Sequence, residues 1–319
     1  MDINLLILIL WGIFIWVAGY SIGLLSNKNI KRKITWLLAI LTTVGSIVLS
    51  TELKPLYRML VIVSLQLVAM KPIVLVESYP QKPKLNFIQW SVFALGWFGM
   101  RPILFEKFRG ESLNNTTYFF LKGFSRILVG VSLIFTANFI SLEIFANLLR
   151  LIGLSFILHF GILNISTGAW RKMGVDVKEL FIAPYQSKSL KEFWGKRWNM
   201  AFSEMTALIA YKPLKAKMGI NIAMFVSFLM SGILHEIAIS FPVSAGYGLP
   251  LLYFLIHGIL MYLESKILWI KKLIEQPILS RLWVCFWLIL PMPLLFHEKF
   301  IREVIMPLCN LVLMLLNLS

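Results

Sequence analysis

The sequence predicts an all-α integral membrane protein. Of its 319 residues, 59% are hydrophobic and 14% are charged, whereas roughly 25% of the residues in an ordinary soluble domain are charged. The mean hydropathy is +0.80. Apolar runs long enough to cross a bilayer as a helix recur along the whole chain. We therefore expect about 8–9 transmembrane helices, with interfacial or re-entrant helices between them.

The apolar runs are separated mostly by short polar loops. A spanning helix needs about 20 mostly apolar residues, and the runs are close to that length. They cover residues 3–25, 34–50, 59–78, 87–105, 119–140, 144–165, 220–241, 249–263, 282–296 and the residues from 304 onward.

The charge is strongly basic, with 31 Lys and Arg against 15 Asp and Glu. Cationic loops are typical of the cytoplasmic face of a membrane protein, where anionic headgroups also attract them. The basic residues are spread over short loops between apolar runs, so we expect a lipid bilayer as partner and no nucleic acid. An odd number of runs separates the basic stretches 28–33 and 171–197, both predicted to be cytoplasmic. One run should therefore not cross, and 87–105, which contains Arg101-Pro102, is the candidate.

We expect residues 1–319 to form a single polytopic membrane domain. No Pro/Gly/Ser-rich or highly charged linker divides the chain. The one long polar stretch, 166–198, opens the region with the most informative motifs, about 166–264.

The first motif lies in residues 187–199. Ser189 and Glu192 have the spacing of a capping box, which predicts a helix beginning near Leu190. Arg197 falls inside the apolar stripe of that helix, where a charge should have a partner or a ligand unless its long side chain reaches the polar boundary. Periodicity leaves two interpretations open, an interfacial helix with a Trp anchor and a binding site. At helical spacing one apolar face would hold Leu190, Trp194, Trp198, Ala201 and Met205.

The second motif is Ser231-Gly-Ile-Leu-His-Glu236, inside the run 220–241. Ionisable residues within a membrane span are costly and indicate function by default. Ser227, Ser231 and His235 recur every four residues and should share one helix face. A neutral imidazole in apolar surroundings is suited to be a general base, although a structural contact between His and Glu stays open. Glu236 points about a quarter-turn away, so we expect it to pair with another helix.

Other chemistry-bearing residues give weaker indications. His257 has Tyr253 one turn before it and could approach His235 across a helix pair, so it is a candidate for a supporting role. The pair His235-Glu236 does not continue as a zinc-protease motif, because position 239 is Ile. Cys285 and Cys309 have no metal-ligand spacing, and we expect no metal.

The two motifs carry a family resemblance. Phe193-Trp-Gly-Lys-Arg-Trp-Asn199 resembles the FW-G-R-RWN motif of the wax-synthase branch of the membrane-bound O-acyltransferases, with Lys196 where many members have Arg. Ser231-Gly-Ile-Leu-His-Glu236 is similar to the SG-x-x-HE motif of that branch. The similarity covers roughly residues 183–240, and the ordered pair is more specific than either motif alone.

The resemblance implies transfer of an acyl group from acyl-CoA, as co-substrate, to the hydroxyl of a lipophilic alcohol. The implied fold is a set of helices enclosing an acyl and acceptor tunnel, with no permanently bound cofactor. His235 would be the general base, and Asn199 would donate to the thioester carbonyl. The predicted supporting residues are Glu236, Ser231 and Trp198, and those predicted to meet the phosphates of coenzyme A are Lys191, Lys196 and Arg197.

The sequence leaves two alternatives open. The acceptor is a long-chain alcohol in a wax synthase, but a sterol, a glycerolipid or a secondary metabolite would use the same motifs. A lipid transporter or binding protein is the non-enzymatic alternative, because Lys71-Pro72 and Arg101-Pro102 interrupt apolar runs. The expected location is multi-pass in a bacterial inner membrane or the endoplasmic reticulum. The oligomeric state is not predicted.

Overall fold

The computed structural model describes residues 3–318, and the regular elements in that range are all helical. The first helices are α1 (Ile3–Gly23), α2 (Lys28–Leu49), α3 (Pro55–Ser78), α4 (Phe87–Gly96), α5 (Thr116–Ala137), α6 (Glu143–Ser155) and α7 (Leu163–Lys172). The next are α8 (Leu190–Glu192), α9 (Met200–Thr206), α10 (Lys212–Met218), α11 (Ile220–Val243) and α12 (Leu249–Lys266). The last are α13 (Leu268–Glu275), α14 (Pro277–Ile289), α15 (Met292–Leu295), α16 (Glu298–Phe300) and α17 (Met306–Leu315). The all-α prediction is confirmed.

Short turns of other helical types link several of these elements. Two are 3₁₀ turns, at Pro102–Lys107 and Pro184–Gln186. Four are π-helical turns, at Phe156–Ile162, Phe193–Arg197, Ala207–Tyr211 and Ile301–Ile305.

Among the described residues, 7 helices are long and apolar enough to cross a membrane. The pair α12 and α13, bent by 90°, would bring the number to 8. The protein is therefore a multi-pass integral membrane protein. The candidate spans are α1, α2, α3, α5, the continuous run Glu143–Lys172, α11 and the run Pro277–Leu295.

The segment that we expected not to cross contains a short helix. Helix α4 has 10 residues, or about 15 Å at 1.5 Å per residue, half of the ~30 Å hydrocarbon core. The buried Lys71 of α3 fixes the chain beyond it, because its Nζ donates to the carbonyl oxygens of Trp97 at 2.6 Å and Gly99 at 2.8 Å. The same ammonium lies 4.2 Å from the ring centroid of Phe93. Lys71 therefore ties α3 to the chain that follows α4.

The chain divides into two compact units. The first consists of Met1–Glu106 and Ala183–His297, and the second of Lys107–Ile182 and Glu298–Ser319. In the second unit α5 and α6 pack closely, since a Cβ on Gly130 would lie 2.6 Å from the carbonyl oxygen of Gly153. His159, in the π turn that follows α6, stacks on Phe181 at 4.4 Å. A single membrane domain stays a prediction.

In the first unit, two residues of the second motif hold α12 against α11. A Cβ on Gly232 would lie 2.6 Å from Cδ1 and 3.1 Å from Cα of Leu251, so only glycine permits this approach. One turn later, the carboxylate of Glu236 accepts from the backbone N–H groups of Gly248 at 2.8 Å and Leu251 at 3.3 Å. A carboxylate at a helix N-terminus satisfies donors that the helix cannot. Glu236 therefore pairs with another helix, as expected.

Candidate active site

Both motifs contribute to one cavity in the first unit. The first motif contributes Trp194, Trp198 and Asn199, and α11 contributes Ser231 and His235. Phe254 of α12 also lines the cavity. Its volume of about 80 Å³ has room for several water-sized groups, each of which needs roughly 10–15 Å³. That suits reacting head groups rather than a long acyl chain, so the tunnel stays a prediction.

The first motif begins as predicted. The Ser189 side chain accepts from the Glu192 N–H at 3.0 Å, and the Glu192 carboxylate accepts from the Lys188 N–H at 2.9 Å. Helix α8 accordingly starts at Leu190.

The predicted continuous apolar face is wrong. After α8 the chain enters the π turn, which the Trp198 N–H closes by donating to the Phe193 carbonyl at 2.8 Å. Trp198 is extended, with φ −103° and ψ 128°, and Asn199 is left-handed. This break separates the motif from α9, so Ala201 and Met205 do not continue the face that Leu190 begins.

Asn199 combines an unusual backbone conformation with a cap. Its φ of 44° and ψ of 65° lie in the left-handed region, which Asn tolerates better than most residues. Its Oδ1 accepts from the Phe202 N–H at 3.1 Å and so caps α9. Because the cap uses the carbonyl oxygen of the side-chain amide, the group left for a ligand is its NH₂ (Nδ2), which only donates. That is the polarity needed to stabilise a developing oxyanion.

His235 has the complementary polarity. Its Nδ1 lies 2.7 Å from the carbonyl oxygen of Ser231, one turn earlier on α11. A carbonyl only accepts, so the hydrogen of a neutral ring is assigned to Nδ1 and the lone pair to Nε2. The Phe254 ring packs at 4.2 Å between centroids and limits the tilt of the imidazole. His235 and Ser231, together with Ser227, line the cavity as their spacing predicted.

Arg197, which we expected to need a partner or a ligand, has a partner. Its Nε donates to the Glu192 carboxylate at 2.7 Å. Burial raises the pKa of Glu192, but the bonds from the Lys188 N–H and Arg197 outweigh it and leave that pKa below its ordinary value. Lys191 and Lys196 are exposed. Binding of coenzyme A phosphates by these basic residues stays a prediction.

His257 is fully buried at 0% exposure. Its Nδ1 contacts the carbonyl oxygen of Tyr253 at 2.9 Å, and its ring lies edge-on to that of Trp194, with 5.4 Å between centroids. His257 therefore packs against Trp194, one of the residues that line the cavity. A supporting role stays a prediction.

Glu264, on α12, was missed by the sequence reasoning. It is 7% exposed, and its carboxylate accepts from the N–H groups of Leu190 at 2.8 Å and Lys191 at 3.2 Å and from Trp283 Nε1 at 2.9 Å. The available signal was an acidic residue directly after the apolar run 249–263.

Comparisons with known proteins agree with the motif resemblance. Residues 177–256 match the model of the membrane bound O-acyl transferase family. The probable long-chain-alcohol O-fatty-acyltransferase 6 of Arabidopsis thaliana is 30% identical over 151 residues, covering 41% of this chain and 44% of the relative. The long-chain-alcohol O-fatty-acyltransferase of Simmondsia chinensis is 28% identical over 118 residues, 34% of this chain and 33% of the relative. The resemblance to the wax-synthase branch is confirmed.

A third relative differs in its named acceptor. Acyl-CoA–sterol O-acyltransferase 1 of Arabidopsis thaliana is 34% identical over 84 residues, covering 24% of either chain. The chain matches less than half of the length of each of these relatives.

Proposed function

We propose that this chain, a relative of the wax-synthase-like membrane-bound O-acyltransferases, transfers a fatty acyl group from acyl-CoA to the hydroxyl of a long-chain alcohol. The observation that carries the proposal is that His235 and Asn199, from separate elements, line one cavity. The proposed base, His235, has a lone pair that can take a proton, and Asn199 has an N–H donor for the oxyanion. The proposed acyl transfer uses both groups.

In the proposed reaction, Nε2 of His235 takes the hydroxyl proton of the alcohol while the alcohol oxygen bonds to the thioester carbonyl carbon. The carbonyl oxygen becomes an oxyanion that accepts from Nδ2 of Asn199. When the oxyanion collapses, the C–S bond breaks, and the thiolate of coenzyme A leaves and takes up the proton. General-base help contributes roughly 10²–10⁴-fold, and one oxyanion donor about 3–4 kcal/mol.

The cavity wall supports an apolar pair of substrates. Trp194, Trp198 and Phe254 line the cavity, and their apolar rings would limit the water around the reacting groups, which strengthens the interactions of the oxyanion. Each methylene of an acyl chain moved from water to apolar surroundings contributes about 0.8 kcal/mol. We place the protein in a bacterial inner membrane or the endoplasmic reticulum, with Lys191 and Lys196 meeting acyl-CoA on the cytoplasmic side.

A sterol is the second candidate acceptor, and the sterol acyltransferase relative is the observation that favours it. Both acceptors offer one hydroxyl on an apolar body, so His235 and Asn199 would act identically on either. The difference would lie in the width of the acceptor path.

The test is product identity. Purified protein in nanodiscs receives palmitoyl-CoA with hexadecanol, cholesterol or no acceptor, and esters are measured by mass spectrometry. We expect palmityl palmitate with hexadecanol, and a steryl ester in its place would select the second candidate. No ester from either acceptor, with intact folded protein, would contradict the proposal.

A further inference from the structure

The carboxylate of Glu264 lies beside the start of the first motif. In the sequence, Glu264 follows Leu190 by 74 residues. It receives hydrogen bonds from the Leu190 and Lys191 N–H groups and from the indole of Trp283. The Glu192 N–H is taken by Ser189. The first N–H groups of a helix have no partners within it, so Glu264 supplies acceptors for two of the three in α8.

The contact is specific to a carboxylate. Three donors converge on two oxygens, Oε1 from Leu190 and Trp283 and Oε2 from Lys191. A glutamine would turn one oxygen into a donor that faces another donor. At 7% exposure, water does not readily replace the lost bonds.

Apolar packing continues the contact along α12. Leu260 and Met261, one turn before Glu264, form a buried cluster with Leu190, Phe193 and Val284. The motif is therefore held to α12 both by its backbone donors and by its side chains.

From there, a chain of contacts leads to Asn199. The Trp194 carbonyl, in the π turn after α8, accepts from Ser203 Oγ at 2.8 Å. Ser203 lies on α9, the helix that Asn199 caps. A shift of the motif relative to α12 would therefore move the Asn199 amide.

Helix α12 also contacts the other half of the site. Phe254 packs on His235, and the N-terminus of α12 is capped by Glu236. The same helix thus supports the proposed base at one end and the motif with the proposed donor at the other.

We infer that Glu264 is a positioning residue, which fixes the first motif on α12 so that Asn199 and His235 face the same cavity. This inference rests on the proposed function. Glu264 contacts no reacting atom, so its loss should reduce the rate of the chemical step rather than substrate binding. A displacement of about 1 Å in a catalytic group can cost up to 10²-fold.

The test compares Glu264→Gln with Glu275→Gln, a control at an exposed glutamate of α13. Hydrogen exchange is measured on the peptide containing Leu190 and Lys191, and kinetics on acyl-CoA and alcohol. For Glu264→Gln we expect faster exchange in that peptide and a fall in kcat of about tenfold or more. KM should stay within about twofold, as for an interaction made in the transition state only. The control should match the wild type in both measurements.

Trp283→Phe removes one of the three donors to Glu264, and it replaces Glu264→Gln in the test if that variant does not fold. It should give a smaller change in the same direction. Unchanged exchange in the folded variants would overturn the inference, and so would faster exchange with an unchanged kcat. If the wild type makes no ester, the proposed function fails, and exchange alone then decides whether Glu264 holds the motif.

Discussion

Replacing Asn199 separates its two structural roles from the donor role that we propose for it. The residue adopts a left-handed backbone, caps α9 through Oδ1 and lines the cavity, where we propose that Nδ2 is the oxyanion donor. Asn199→Ala would lose all three. The missing cap costs about 1 kcal/mol and the left-handed backbone roughly 1–2 kcal/mol, so its stability falls by roughly 2–3 kcal/mol.

Asn199→Gly removes the donor with little change in stability. Glycine adopts the left-handed region freely and costs only a few tenths of a kcal/mol at an N-cap. Loss of one oxyanion donor lowers kcat roughly 10²–10³-fold. Asn199→Asp keeps the capping oxygen but places a negative charge beside the oxyanion, so its kcat should fall at least as far.

The assay is steady-state release of coenzyme A by the three variants in nanodiscs, beside thermal unfolding. We expect Asn199→Asp and Asn199→Gly to unfold close to the wild-type temperature and Asn199→Ala to unfold below it. The kcat should be low in all three variants. A kcat for Asn199→Gly within about threefold of the wild type, less than about 0.7 kcal/mol, would refute the role of the amide as donor.

Three further predictions concern the parts that hold the site. Gly232→Ala should lower the free energy of unfolding by about 1–3 kcal/mol through overpacking against α12. The control Gly45→Ala, whose added Cβ meets open space, should be neutral or stabilising. Thermal unfolding of the two variants checks this. Lys71→Met leaves two buried carbonyls unpaired at about 1–3 kcal/mol each, and faster proteolysis than in the exposed-site control Lys84→Met checks this. The lowered pKa of Glu192 means that its pairing stabilises the fold above the ordinary value of about 4.5 and is lost as pH falls through the lowered pKa. Glu192→Gln should therefore flatten stability against pH in that acidic window, and an unchanged slope would contradict the pairing.

Local patterns predicted the spans and the face of α11. The spacing of Ser227, Ser231 and His235 needs only a regular helix, and a regular helix is what the chain forms there. The capping signal at Ser189 is equally local. Hydropathy identified the spans because length and polarity decide them.

The rest depended on contacts between distant residues. The break at Asn199 comes from a π turn and a left-handed residue, which helical periodicity cannot reveal. The glycine at 232 is required by Leu251 on the next helix. The position of Glu264 directly after an apolar run is a local signal, but the donors that it satisfies lie more than 70 positions earlier in the chain, and no local pattern identifies them.

The most direct test of the account is alcohol-dependent release of coenzyme A from palmitoyl-CoA by His235→Gln. Glutamine keeps hydrogen-bonding groups at the site but has no basic nitrogen. His159→Gln, at a packed histidine of the second unit, is the control. We predict that wild type and control release coenzyme A in proportion to added hexadecanol and that His235→Gln does not. Alcohol-dependent release by His235→Gln at the wild-type rate would contradict the assignment of His235 as general base.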